Sequence, residues 1–99
     1  MKYSKHYSKL DQNKYTTIRR HSKGKVGDVV LETYPDGKHK ANIVDIKRQT
    51  INEMSFTFLY TDTDCITREE AKNLIQYFYR KPIDFDKEKF YVYFLEKVA

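Results

Sequence analysis

The sequence predicts a small α+β domain, a mixed sheet or partly closed barrel of about five strands with about two or three helices at its ends. Three observations carry this. Nine Tyr and six Phe stand against no Trp, and such rings suit pleated, half-buried surfaces. Segments with strand character outnumber those with helical periodicity, and one clear helix start falls late in the chain. Only three Gly and two Pro punctuate the 99 residues, so residues 1–99 make a single domain without a long linker. A chain this size buries roughly two-thirds of the surface it exposes when unfolded, which supports one modest core.

The elements follow in order. Tyr3, Tyr7 and Leu10 share one edge of a helical wheel, and residues 3–12 are predicted as a short amphipathic helix. Residues 15–20 are rich in β-branched and aromatic side chains and form the first strand. The polar loop from His21 to Asp28 carries two glycines and leads to a second strand, Val29–Tyr34. Pro35, Asp36 and Gly37 supply turn chemistry, and residues 41–47 return as the third strand of a hairpin. The stretch Ser55 to Tyr60 alternates like a strand and equally fits a loop with a helical turn. Thr67 and Glu70 have the spacing of a capping box. The helix they open places Ala71, Leu74, Ile75 and Phe78 on one face. Residues 89–96 are apolar or aromatic on both faces, which marks a central strand.

Charge is distributed unevenly. Residues 1–25 hold eight Lys and Arg against the single acid Asp11, a local +7 that leaves −2 for the rest of a chain whose total is +5. A basic face of this kind attracts nucleic acid or other anions, the alternative being a Lys-rich solvated surface. The single cysteine, Cys65, excludes an internal disulfide and points to a reducing, cytoplasmic setting. No apolar run approaches the ~18 residues of a membrane span, and the basic N-terminus lacks the apolar stretch of a secretory signal. No membrane partner is therefore expected. His6, His21 and His39 show no metal-ligand spacing with Cys65, and no glycine loop cradles a phosphate. Neither a metal nor a cofactor is expected.

The chemistry-bearing stretch is Lys14 to Arg19. Thr17 and Arg19 are two apart on a strand and project from one face, and the long stem of Lys14 can fold over that face from the strand entry. A cation, a hydroxyl and a guanidinium together suit an anionic or carbonyl-bearing ligand. An exposed strand with ordinary polar decoration is the alternative. His21 follows the strand and falls at the rim of such a pocket, next to Arg20. The Tyr-rich last strand offers stacking platforms for bases, although Phe90, Val92 and Phe94 read as core.

The run Gln12-Asn13-Lys14-Tyr15-Thr16-Thr17-Ile18-Arg19, followed by Lys25-Val26-Gly27-Asp28-Val29-Val30, resembles the ASCH domain of the PUA-like barrels. That family opens with Gly, any residue, Lys, two residues, Thr, any residue, Arg, then a Val-Gly-Asp-type strand start. The likeness extends through the hairpin, the late helix and the last aromatic strand. It is strongest to the small bacterial acetylcytidine amidohydrolases. Gln12 stands where the family has Gly, so the entry turn departs from the pattern. The resemblance implies a PUA-like barrel that binds RNA or a modified nucleoside through Lys14, Thr17, Arg19, Arg20 and His21. It also implies an alternative, hydrolysis of an acylated nucleoside, with Lys14 as base, Thr17 as nucleophile and Asp64 as acid. The family has Glu at that last position, and Asp62 is a second candidate. A third reading is a compact adaptor whose aromatic excess marks an interface. The chain is accordingly expected to be a monomer or homodimer.

Overall fold

The computed structural model describes residues 1–98, which form an α+β fold on a four-stranded antiparallel sheet. The strands are β1 (Lys14–Arg19), β2 (Val29–Tyr34), β3 (Gly37–Thr50) and β4 (Lys89–Lys97), in spatial order β1-β4-β3-β2. Two helices, α1 (Phe56–Thr63) and α2 (Arg68–Phe78), lie between β3 and β4 in the chain. No helix among the described residues is long and apolar enough to cross a membrane.

β4 is central, as its two-sided apolar pattern predicts. Phe90 and Val92 point to a core shared with Leu59 of α1 and with Ala71 and Ile75 of α2. Tyr93 and Leu95 point the other way, to a core shared with Tyr15, Ala41, Ile43 and residues Tyr3, Tyr7 and Leu10 of the N-terminal segment. Each such fully buried large apolar side chain contributes roughly 1.5–3 kcal/mol. The two-sided strand thus lets one thin sheet serve two cores.

The hairpin forms where the turn residues place it, with Tyr34 and Gly37 as the last pair. A Cβ at Gly37 would stand 2.9 Å from the Tyr34 ring, so a larger residue there would force that ring to shift. β3 runs further than residues 41–47. Its polar ends gain strand geometry from their partners, Lys38 and Lys40 from β2 and Arg48 to Thr50 from β4, and a bulge at Val44 re-registers it against β4. Such tertiary pairing overrides weak local preference.

The N-terminal helix expected over residues 3–12 is reduced to a 3-10 turn, Ser8–Asp11. Residues 1–3 run along β2: Tyr3 N–H donates to the Thr33 carbonyl at 2.9 Å, and Thr33 N–H to the Met1 carbonyl at 2.9 Å. An isolated helix this short is marginal, whereas the edge of β2 offers unmet backbone partners. Tyr3, Tyr7 and Leu10 are buried all the same, Tyr3 and Tyr7 from the segment before the 3-10 turn and Leu10 from within it. The ambiguous segment 55–60 opens helix α1, capped by Ser55, whose hydroxyl accepts from Phe58 N–H at 3.1 Å.

The sheet has four strands where about five were expected, and β1 and β2 are its two edges. Side chains link those two edges. Tyr15 of β1 donates to Glu32 of β2 at 2.9 Å, and the Tyr3 hydroxyl donates to the same carboxylate oxygen at 2.8 Å. Glu32 is fully buried. The loop after β1 closes over the same face: the Tyr93 hydroxyl accepts from Lys23 N–H at 2.5 Å.

Candidate functional site

A cavity of about 430 Å³ wraps the free edge of β1. The N-terminal segment forms one wall with Tyr3, Tyr7 and Lys9; the end of α1 adds Asp62, and α2 adds Leu74, Ile75 and Phe78, followed by Tyr79. β1 contributes Thr17 and Arg19 from one face and Ile18 from the other. Only an edge strand can offer both faces to one cavity, because no neighbour covers its outer side.

The polar end is built on a buried ion pair. Lys9 Nζ lies 3.1 Å from Asp62 Oδ1, and both side chains are about 5% exposed or less. Asp62 Oδ2 accepts from Thr16 Oγ1 at 2.7 Å. Burial pushes the Lys9 ammonium below the ordinary lysine range, while Asp62 opposes that shift. The Lys9 ammonium lies 5.4 Å from the centre of the Tyr3 ring and 5.6 Å from that of Tyr7. Burial, with the Glu32 carboxylate, pushes the Tyr3 phenol well above the ordinary tyrosine range, so Tyr3 is a neutral hydroxyl. Thr17, which lines the same cavity, is 2% exposed.

Arg19 closes the mouth. Its guanidinium lies 4.9 Å from the centre of the Tyr3 ring, and its Nη2 donates to the Lys2 carbonyl at 3.2 Å. Its Nε is buried without a partner, a costly state for a charged donor. Lys2, His21 and Lys23 stand around the same opening. Since Lys9 and Asp62 neutralise each other, Lys2, Arg19 and Lys23 leave the mouth cationic. The opposite wall is apolar and aromatic.

Of the residues singled out in the sequence, Thr17, Arg19 and His21 line this cavity. Lys14 does not. It is exposed at the far end of β1, opposite Glu96. Its three-residue spacing from Thr17 turns its side chain to the other sheet face. The cation lodged in the cavity is Lys9 instead. Arg20 also lies outside. It grips Glu88 through Nε (2.6 Å) and Nη2 (2.9 Å), and donates to the carbonyls of Lys81 and Pro82. Arg20 therefore ties the loop before β4 to the end of β1. Asp64 caps α1 in the left-handed conformation, with φ 60°. It accepts from Ser8 N–H at 2.9 Å and from the Ser8 hydroxyl. That is an anchoring role, and the carboxylate at the cavity is Asp62.

Lys9 and Tyr3 had no sequence signal of their own. One cation among eight in the basic quarter is not distinguished by its neighbours, and Tyr3 read as the apolar edge of a helix. Among the described residues no group of three or more His, Cys, Asp or Glu is placed to hold a metal ion. No family model, curated protein or solved structure matches the chain.

Proposed function

We propose that the chain is an ASCH-type domain that binds RNA or a modified nucleoside, with one nucleoside unit in the cavity at the edge of β1. The observation that carries this is the pairing of a cationic mouth, centred on Arg19, with an apolar and aromatic wall from Ile75 to Tyr79 in one cavity of about 430 Å³. That volume suits a single small ligand. A nucleoside has the matching halves: a flat ring system for the wall, and carbonyl and hydroxyl groups for Thr17 and Arg19. The sheet, with its edges joined through Tyr15 and Glu32, is compatible with a PUA-like barrel. Calorimetric titration with acetylcytidine and the four ordinary ribonucleosides tests the reading. Binding of one of them, weakened about tenfold or more by Thr17→Val or Arg19→Gln, is the expected result. Absence of binding at millimolar ligand overturns it.

One observation favours a hydrolytic use of the same cavity. A Thr hydroxyl becomes a nucleophile only when a base takes its proton, and Lys9 is a buried lysine with a lowered proton affinity in the cavity that holds Thr17. In this reading the neutral form of Lys9 takes the Thr17 proton as Thr17 attacks the acyl carbonyl. The C–N bond breaks as the Lys9 ammonium returns that proton to the departing amine, and water then hydrolyses the acyl-Thr17 ester to release acetate. Arg19 holds the developing oxyanion, and Asp62 positions Lys9. Acetate release from acetylcytidine, abolished in Thr17→Ala and Lys9→Met but retained in Lys14→Gln, is expected. No turnover at high enzyme concentration ends this reading and leaves the binding one intact.

A further inference from the structure

The register of the sheet sets a second group of side chains beside the cavity mouth. Arg19 on β1 is the cross-strand partner of Tyr91 on β4, and Tyr91 is also the partner of Arg48 on β3. Directly opposed residues share a sheet face. Arg19, Tyr91 and Arg48 therefore form one row across three strands, about 10 Å from end to end. The row behind it is Thr17, Tyr93 and Ile46.

The row is arranged for stacking. The Arg48 guanidinium lies 4.0 Å from the centre of the Tyr91 ring. Tyr91 in turn stacks on Tyr93, with centroids 6.1 Å apart and planes at 22°. Arg48 is exposed and Tyr91 half-buried. One nitrogen of Arg48, Nη2, donates to the Lys89 carbonyl at 3.0 Å and steadies the group against the ring. None of the ion pairs among the described residues engages Arg19, Lys23 or Arg48. Their charges are available to an incoming anion.

We propose that this row continues the cavity as a track for single-stranded nucleic acid. One nucleotide sits in the cavity, the base of its neighbour stacks on the outer face of Arg48, and the intervening phosphate lies against Arg19 and Lys23. The inference rests on the reading of the cavity as a nucleoside site, and it selects a polynucleotide over a free nucleoside as the ligand. Charge complementarity alone fits an acidic peptide as well. The stacked Arg48–Tyr91–Tyr93 column presents a flat guanidinium face, which suits a planar ring better than a peptide carboxylate, and guanidinium planes are common base platforms.

Fluorescence anisotropy with a labelled five-nucleotide RNA, beside calorimetry with a nucleoside monophosphate, tests this. The pentanucleotide is expected to bind at least about tenfold tighter than the mononucleotide. Arg48→Gln, a change at an exposed position, should weaken the pentanucleotide about fivefold or more and leave the mononucleotide unchanged. Lys23→Gln, which removes a phosphate contact, should lower the slope of log affinity against log salt by about 0.7. A pentanucleotide bound no tighter than the mononucleotide, or one indifferent to Arg48→Gln, overturns the track while the cavity reading stands. Pentanucleotide binding that is sensitive to Arg48 but indifferent to Thr17→Val, with no mononucleotide binding, overturns the cavity reading and with it the track as a continuation of the cavity. Binding of neither ligand overturns both. An oligoglutamate peptide bound as tightly as the pentanucleotide, and equally weakened by Arg48→Gln, overturns nucleic acid as the partner.

Discussion

Asp62 receives the buried Lys9 ammonium on one oxygen and the Thr16 hydroxyl on the other. Removing its charge leaves Lys9 without a counter-ion in a site where that ammonium is only 4% exposed. Asp62→Asn should therefore destabilise the fold by roughly 3–5 kcal/mol in urea unfolding. The double change Lys9→Met with Asp62→Asn should recover much of that loss, because it leaves no buried charge without a counter-ion. A single Asp62→Asn variant as stable as the parent would contradict the buried-pair account. Thr17 and Arg19 were legible in the sequence because a strand has period two, and residues two apart share a face. Lys9 was not, since its burial depends on the N-terminal segment folding back against the end of α1.

The T-x-x-E pattern occurs twice. At Thr50 the box is complete: Glu53 N–H donates to the Thr50 hydroxyl at 3.2 Å, and Thr50 N–H donates to the Glu53 carboxylate at 3.4 Å. At Thr67 the hydroxyl accepts from Glu70 N–H at 3.1 Å, and that is the cap of α2. The two residues of the α2 pattern should behave differently. Thr67→Ala should cost about 1 kcal/mol in thermal unfolding, whereas Glu70→Ala, at an exposed site, should stay within about 0.5 kcal/mol. Equal losses would show a reciprocal cap at α2 as well. The start of α2 was readable because its signal is local. The path of the N-terminal segment was not, because the edge of β2 that captures Tyr3 lies thirty residues away.

Across the whole molecule, the N-terminal segment is clasped by His6. Its Nδ1 lies 2.9 Å from Asp36 in the hairpin turn and its Nε2 lies 2.7 Å from Asp11, while its ring packs 4.7 Å from that of Tyr34. The bonds to Asp36 and Asp11 raise the imidazole above its ordinary value of 6.5. A raised folded value means the contribution is complete below pH about 6.5 and is lost as pH rises through the folded value. The His6 contact also lowers Asp36 from its ordinary 3.8, so the acid limb of the clasp is lost only as pH falls through that lowered value. Urea midpoints measured from pH 5 to 9 should fall across the upper limb, and His6→Gln should flatten that fall. An unchanged pH profile in the variant would assign the dependence to another group. Because the clasped segment supplies Tyr3 and Lys9 to the cavity, ligand affinity should follow the same trend.

By itself the sequence determined the α+β class, the hairpin, the late capped helix, the central last strand and the stretch that carries Thr17 and Arg19. Each of these rests on neighbours within a few residues or on a simple period. Tertiary structure alone decided that Lys9 and Asp62, not Lys14 and Asp64, meet in the cavity, and that Arg20 is an anchor to Glu88. It also decided that Arg19, Tyr91 and Arg48 stand in one row. Those choices depend on strand register, on which sheet edge stays open, and on which face a side chain takes when distant segments pair. No local pattern in the chain encodes them.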